Sequence, residues 1–444
     1  MIFDLFKNKN SFNPQTCFAL MDGNNFFVSC ERVFNPKLQN RPVIVLSNND
    51  GCAIARSNEA KDLGIPMGAP LHTFSHMIKK HEIALLSSNF ELYGDMSHRM
   101  MNILRQFSPD IEIYSIDEAF IDLSNVYYRN EGNLQFWAQS VYDTILQNVG
   151  IPTTIGIAPT KTLSKIANRW AKKSHQPFHI LGTQEQIQHA LQSTRVEDIW
   201  GIGRKLHIQL KCDGIYTAYD LACKDPRWAR KKMTVVGERL VRELQGTPCL
   251  TLETLEKNKQ SIQVSRSFGT PLTQMEDIAQ ALSQHASRLG EKLRSQNLAT
   301  PFITVYCRTN PFSKNPFHKC TYTVGLPQPT NDTETLIKAS LYGLKQMFKE
   351  GYTYHKAGIH AFDLISTHQI KQNTLSCLQQ PHHLFQSSQK SQTLSHTIDH
   401  INIRFGQDTL LWSSSGIQPK HLMKQNNRTP RYTTRWEELV TVRA

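Results

Sequence analysis

Two stretches of this chain end apolar runs in carboxylates. Phe18-Ala19-Leu20-Met21 leads into Asp22-Gly23-Asn24-Asn25, and Ile113-Tyr114-Ser115-Ile116 leads into Asp117-Glu118, followed by Ala119-Phe120-Ile121. Runs rich in β-branched and aromatic residues favour strands, so the acidic pair is expected at the tip of a tight connection between two strands, with Asp22 at the end of another. With ordinary carboxyl pKa values of about 4 these groups are ionised at neutral pH, and anions in apolar surroundings need solvent or a cation. Three carboxylates on adjacent strand ends would suit two Mg²⁺ ions, about 3.5 to 4 Å apart, bridging a nucleophile and a nucleotide triphosphate. A water-facing acidic turn has the same composition, so the pair alone does not decide the matter.

The elements that must position these acids follow from periodicity. Leu92, Met96, Met100, Ile103, Leu104 and Phe107 recur at helical spacing, a second helix is expected around Trp137 to Leu146, and Thr153 to Ile157 alternates as a strand. From Phe18 onward, setting aside residues 41–86, the order is strand, helix, paired strands, helix, strand. That is the ferredoxin-like βαββαβ plan, shared by polymerase palms and nucleotidyl cyclases. The residues set aside predict a strand at Pro42 to Leu46, a polar turn at Ser47 to Gly51, and a helical run from Ile54 to Leu63 carrying Arg56, Asn58 and Lys61. Another helix opens near Pro159 or Thr160. In its first turn Lys161 works against the helix dipole unless an anion is present, which points to phosphate.

Beyond residue 180 the pattern changes. Gly201-Ile202-Gly203-Arg204-Lys205 has the glycine spacing and basic helix start of a helix-hairpin-helix, in which backbone N–H groups approach a DNA phosphate, and Val235 to Leu240 is a candidate degenerate copy. After a polar linker, residues 261–366 repeat the βαββαβ order without a carboxylate constellation, and with eleven Lys and Arg against seven Asp and Glu. A basic sheet suits a DNA grip, with Arg266 on its first strand as a contact. From residue 367 the chain turns rich in Gln, Ser and His and is expected to be flexible.

Bulk properties agree with a polyanion partner. The 444 residues carry a formal net charge of +13, and Lys and Arg that neutralise phosphates release counterions. The length allows several domains. Nine cysteines form no CxxC pair or zinc-like spacing, and His382 with His383 is taken as incidental rather than as a metal site. No segment approaches the roughly 20 apolar residues of a membrane span, so a cytoplasmic location without membrane partners is expected.

Taken together, Asp22 to Glu31, Ser47 to Gly64, Ser87 to Asp95, Tyr114 to Leu123 and Gly156 to Lys165 resemble the Y-family translesion DNA polymerases, and among them the UmuC-type catalytic subunits of bacterial DNA polymerase V. The likeness runs from about residue 17 to the end. It implies an α+β multidomain right hand: an N-terminal extension (1–15), a ferredoxin-like palm (16–40 and 87–180), small fingers (41–86), a helical thumb with a helix-hairpin-helix (181–246), a linker (247–260), a ferredoxin-like little finger (261–366) and a flexible C-terminal region (367–444). It implies that Asp22, Asp117 and Glu118, with the Gly23 carbonyl, hold two Mg²⁺ ions, and that the substrate is a dNTP. Lys61 and Lys161 would meet its phosphates. Asn58 and Lys61 stand where many relatives carry Tyr and Arg. Phe27 stands where a Tyr usually blocks a ribose 2′-hydroxyl, so exclusion is expected from ring bulk alone. The implied partners are primer-template DNA, a UmuD-type processed dimer, a RecA filament and the β sliding clamp. The clamp would take Gln379, Leu384 and Phe385 as a docking peptide, and the active enzyme would associate with the nucleoid. Two alternatives compete. A nucleotidyl cyclase would need neither the Gly201-Ile202-Gly203 hairpin nor a second basic sheet, and a non-catalytic DNA-binding protein would not need the three acids together.

Overall fold

The computed structural model describes residues 16–125, 133–253, 259–313, 316–370, 388–417 and 419–439. The chain divides into two compact units: residues 48–50 with 257–426 form one, and the remainder forms the other.

The first unit is organised on a five-stranded sheet. Its strands are β1 (Phe18–Gly23), β5 (Ile111–Ile113), β6 (Glu118–Asp122), β7 (Thr153–Ala158) and β8 (Phe178–Ile180), in the spatial order β5-β6-β1-β7-β8. β1 is buried along its whole length because it lies between β6 and β7, antiparallel to both. Its register sets Asp22 opposite Glu118 on one side and Thr154 on the other. β1, β5, β6 and β7 stand in the order of the βαββαβ plan, with β8 added parallel at the edge.

Alternation along the strands separates the two faces of this sheet. Ala19, Met21, Ala119, Ile121, Ile155 and Ile157 join a core with residues of helices α1 (Phe26–Phe34), α4 (Phe90–Phe107) and α5 (Leu134–Val149). The other face is covered by α6 (Lys161–Lys173). Gly156 permits this approach: a Cβ there would come within 2.1 Å of the Asn168 backbone nitrogen and 2.2 Å of the Ser164 carbonyl oxygen. Asn168 seals the contact by donating from Nδ2 to the Thr154 carbonyl (2.6 Å). Thr160 caps α6, its hydroxyl accepting from the Leu163 N–H.

Residues 41–86 form a three-stranded sheet from β2 (Val43–Leu46), β3 (Ala53–Arg56) and β4 (Ala84–Ser87), with β2 in the middle and α3 (Leu71–Lys80) packed against it. Here the helix expected from Ile54 is corrected. Ala53–Arg56 pairs with β2, and only Asn58–Asp62 (α2) is helical, because Ser57 caps that helix through its hydroxyl and stops it extending backward. Ala53 and Ala55 are buried while Ile54 is half-buried, a period of two rather than 3.6.

Helices at Gln184–Ser193, Arg204–Cys212, Ala218–Ala222 and Pro226–Leu244 complete the first unit, sharing a core with Leu163 and Ile166 of α6. The last of them is broken at Met233 and Thr234, where Thr234 has φ 64°. That break lies beside the expected second copy of the hairpin.

The second unit has the expected element order βαββαβ, with strands β9 (Ser261–Leu272), β10 (Leu298–Thr309), β11 (Lys319–Thr330) and β12 (Tyr354–Phe362), all antiparallel. Its strand order is β11-β10-β12-β9, so the first strand lies at an edge, unlike β1 in the other sheet. Helices Met275–Arg294 and Thr333–Met347 cover one face. The flexible region expected from residue 367 contains a helix, Gln389–Phe405. Polar pairs hold it rather than an apolar stripe: Arg294 grips Asp399 with Nε (2.6 Å) and Nη2 (2.8 Å), and the hydroxyls of Ser391 and Ser395 donate to Asp332. Hydrophobic periodicity could not reveal such a helix.

Candidate active site

Asp22 and Glu118 are register partners on β1 and β6, so both carboxylates emerge on the α6 side of the sheet. α6 answers with a stripe of polar groups at positions 165, 168 and 172, one face of a helix. Lys165 Nζ lies 3.0 Å from Glu118 Oε2, and Lys172 Nζ lies 2.6 Å from Asp22 Oδ1. Burial pushes the Asp22 carboxyl up to about 7, more than the Lys172 charge draws it down, and the facing Glu118 adds to the rise. These groups line a cavity of about 330 Å³ whose far wall includes Arg169, Asp198 and Trp200. Trp200 belongs to an aromatic platform: its indole N–H donates to the Tyr114 hydroxyl (3.0 Å), and Lys165 lies over both rings.

Asp117 occupies the turn before β6. Its carbonyl accepts from the Gly23 N–H (2.8 Å), and its carboxylate accepts from the Ser115 hydroxyl (2.6 Å), whose oxygen in turn caps the Glu118 N–H. Asp117 therefore sits beside the Asp22 and Glu118 pair. Among the described residues no three His, Cys, Asp or Glu side chains are gathered as a ready metal cluster. The donor set is nevertheless that of a hard divalent cation: oxygen atoms only, with Glu118 and Asp22 paired to the ammoniums of Lys165 and Lys172.

A second cavity, of about 280 Å³, opens on the other side of Lys172. Asn24, Asn25, Asn58, Lys61, Thr154 and His175 also line it. Lys61 Nζ donates to Asn25 Oδ1 (2.5 Å), and Asn25 Nδ2 donates to Asn58 Oδ1 (3.0 Å). Burial, and then the charges of Arg56 and Lys172, push the Lys61 ammonium below the usual lysine range. Two cations that repel each other around a polar cavity form a site for an anion. Arg56 does not line it: its guanidinium donates to the Ile65 carbonyl, in the loop between α2 and α3.

Lys161 lies elsewhere. It is buried, with Nζ 2.7 Å from Glu112 Oε2, 3.3 Å from the Thr251 carbonyl and 4.5 Å from the Phe120 ring centre. The anion that a first-turn lysine demands is thus the Glu112 carboxylate, and the lysine of α6 that lines a cavity with Lys61 is Lys172. Sequence reasoning missed Lys165 and Lys172, although their seven-residue spacing on a helix that follows the acidic strands was a usable signal.

Phe27, on α1, is half-buried and stacks on Tyr93 (ring centres 4.5 Å apart, 14° between planes) with Phe90 edge-on at 5.8 Å. Gly201, Gly203, Arg204 and Lys205 are all exposed, while Ile202 is buried and anchors the turn, with Gly201 at φ 91° and Gly203 capping the helix Arg204–Cys212. In the second unit Arg266 is aligned with buried Ala357, on the helix-bearing side of β9 rather than on the open face. The open face carries Lys319, Arg308 and Lys356 side by side in register across β11, β10 and β12. Like charges directly opposite one another destabilise a sheet unless an anion joins them. Gln379, Leu384 and Phe385 lie outside the described residues.

Known proteins resemble this chain along most of its length. Residues 21–169 match the model of the impB/mucB/samB family, residues 259–375 match that family's C-terminal domain, and residues 392–442 match a domain of unknown function (DUF4113). The chain is 40% identical to protein UmuC of Salmonella typhimurium over 96% of its own length and 100% of that protein. It is 39% identical to protein ImpB of the same organism over 96% of this chain and 99% of the relative. DNA polymerase IV 2 of Bacillus subtilis is 26% identical over 89% of this chain and 93% of that protein. Among solved structures a Y-family DNA polymerase chimera of Dbh and Dpo4 matches 79% of this chain and 99% of its own with a TM-score of 0.63, at 21% identity. The fold is that of a Y-family DNA polymerase, a class that uses divalent metal ions. Within it, the chain belongs to the impB/mucB/samB family, to which UmuC-type proteins also belong. No described helix is long and apolar enough to cross a membrane.

Proposed function

We propose that this chain is an error-prone, template-directed DNA polymerase that performs translesion synthesis in the DNA damage (SOS) response, adding deoxynucleotides to a primer 3′-hydroxyl. The observation that carries this is the facing pair Asp22 and Glu118 beside a cavity where Lys61 and Lys172 confront each other. A cyclase would have no use for the exposed Gly201-Ile202-Gly203 hairpin or for the cationic row on the second sheet.

Each group has a role in this reading. When bound among Asp22, Asp117, Glu118 and the Gly23 carbonyl, two Mg²⁺ ions supply acidification of the primer hydroxyl and charge neutralisation at the pyrophosphate leaving group. Asp22 and Glu118, now paired with Lys172 and Lys165, would hold that charge in place of the ammoniums. Lys172 and Lys61 take the triphosphate, with Asn25 and Asn58 steering the Lys61 ammonium. Phe27 fills the space of a 2′-hydroxyl with its ring. Gly201, Gly203, Arg204 and Lys205 grip one DNA backbone segment, and Lys319, Arg308 and Lys356 grip another. Residues 16–40 and 87–180 serve as palm, 41–86 as fingers, 181–246 as thumb and 261–366 as little finger. Kinship with UmuC-type proteins supports a UmuD-type processed dimer and a RecA filament as partners, and supports a clamp-docking peptide at Gln379, Leu384 and Phe385.

Primer extension by the purified chain on undamaged and abasic templates, with and without those partners, tests the proposal. Incorporation opposite the abasic site that disappears in Glu118→Ala is expected. A chain that binds primer-template yet incorporates nothing under any of these conditions would leave only a DNA-binding role.

A further inference from the structure

The segment Asn427 to Glu438 is joined to the first unit by a set of polar and aromatic contacts. Ser87 and Asn427 exchange two hydrogen bonds, Ser87 N–H to the Asn427 carbonyl and Asn427 N–H to the Ser87 hydroxyl, both 3.0 Å. Tyr432 stacks on Phe34 of α1, with ring centres 4.8 Å apart and 11° between planes. Arg431 lies between Glu91 of α4 and Glu438. The segment falls within the stretch that matches a domain of unknown function.

One of its residues reaches a buried carboxyl. Glu31 is 1% exposed, and its Oε1 accepts two hydrogen bonds, from the Tyr93 hydroxyl (2.7 Å) and from the Thr429 hydroxyl (3.1 Å). Asn89 fixes Thr429 from the other side, with Nδ2 3.1 Å from both its carbonyl and its hydroxyl oxygen. Glu31 and Phe27 lie one turn apart on α1, and Tyr93, the partner of Glu31, is also the ring on which Phe27 stacks. A stacked ring held at its hydroxyl end has one orientation, whereas a ring that can slide lets its partner tilt.

We propose that residues 427–438 form a strap that sets the angle of the sugar-excluding ring, with Thr429 acting as a positioning residue on Phe27 through Glu31 and Tyr93. This rests on the reading of Phe27 as the residue that rejects a ribose. It places a determinant of sugar choice some four hundred residues downstream of the ring it controls. The physical reason is a shortage of local support: α1 is short, its N-cap Asn25 makes no side-chain cap bond, and a lone phenylalanine has no polar handle of its own.

The test is the ratio of kcat/KM for a deoxyribonucleotide to that for the matching ribonucleotide, measured by single insertion with the full-length chain. Thr429→Val removes one hydroxyl while keeping shape, and Tyr93→Phe removes the other while keeping the stacked ring. Each is expected to lower discrimination by about 3- to 10-fold, the size of one missing hydrogen bond, chiefly by raising ribonucleotide insertion. In the Phe27→Ala background neither should change the ratio further, because the ring they aim is gone. If both variants slow the two sugars equally, or leave the ratio untouched while Phe27→Ala alters it, the strap has no such role. If Phe27→Ala itself leaves the ratio unchanged, the reading of Phe27 fails first and the strap falls with it.

Discussion

Lys172 Nζ rests 2.6 Å from the Asp22 carboxylate while also lining the cavity that holds Lys61. One lysine therefore joins the acidic pair to the anion site. Lys161, eleven residues earlier in the same helix, is committed to Glu112. The two lysines give a sharp contrast on mutation. Lys172→Ala should cut kcat/KM for nucleotide insertion by about 10- to 100-fold, as expected for a charge-assisted contact to substrate, and it should also lower Tm, because the buried Asp22 carboxyl loses its partner. Lys161→Ala should instead leave insertion by the folded enzyme near wild type and lower stability by roughly 1.5–3 kcal/mol, because it removes one charge-assisted partner of the half-buried Glu112 carboxylate, which keeps the Glu253 N–H. Insertion kinetics on both variants, with denaturation curves to set the folded fraction, decide this, and a reversal of the two kinetic phenotypes would return the phosphate role to Lys161.

Asp117→Ala and Glu118→Ala should each bring incorporation to background while primer-template affinity stays near wild type. In the proposed reading DNA affinity comes from Arg204 and Lys205 and from the row Lys319, Arg308, Lys356 rather than from the acids. Extension by either variant at a rate near wild type would remove that acid from the chemistry.

The Asp22 carboxyl, raised to about 7 in the folded chain from an ordinary 3.8, makes a pH prediction. An acid whose folded pKa is raised favours folding fully below its unfolded pKa, and that contribution disappears as pH climbs to the folded value. Metal-free Asp22→Asn should therefore gain Tm over wild type progressively between about pH 4 and pH 7, with a constant gap above. A gap that shrinks as pH rises would contradict the burial-driven shift.

DNA binding should weaken steeply with salt. Removing Arg308, Lys319 and Lys356 together should shallow the dependence of log K on log salt by about 0.9 for each phosphate that is no longer neutralised. Arg204→Ala with Lys205→Ala should do the same at the hairpin, whereas Arg266→Ala should leave the slope nearly unchanged. An Arg266 variant with the largest effect would place DNA on the helix-bearing side of the second unit's sheet.

The acids, their strands and the βαββαβ order were legible because they depend on local rules: apolar runs ending in Asp22 and Asp117-Glu118, and helical spacing from Leu92 to Phe107. The family likeness was legible for the same reason, since its motifs are contiguous. What could not be read were pairings across the fold. Whether Lys161 or Lys172 meets phosphate depends on which residue faces Glu112, and that is decided by how α6 crosses the sheet over Gly156. Arg266 keeps the two-residue period of the buried Ile262, Val264 and Phe268, so its place on the helix-bearing side was legible in β9 itself, whereas the alignment of Lys319, Arg308 and Lys356 depends on how three strands pair. The helix Gln389–Phe405 and the strap at Thr429 rest on Asp332, Arg294, Asn89 and Glu31, polar partners far away in sequence. Hydrophobic period carries information about one element's own face. Hydrogen bonds between distant side chains carry none until the backbone has brought them together.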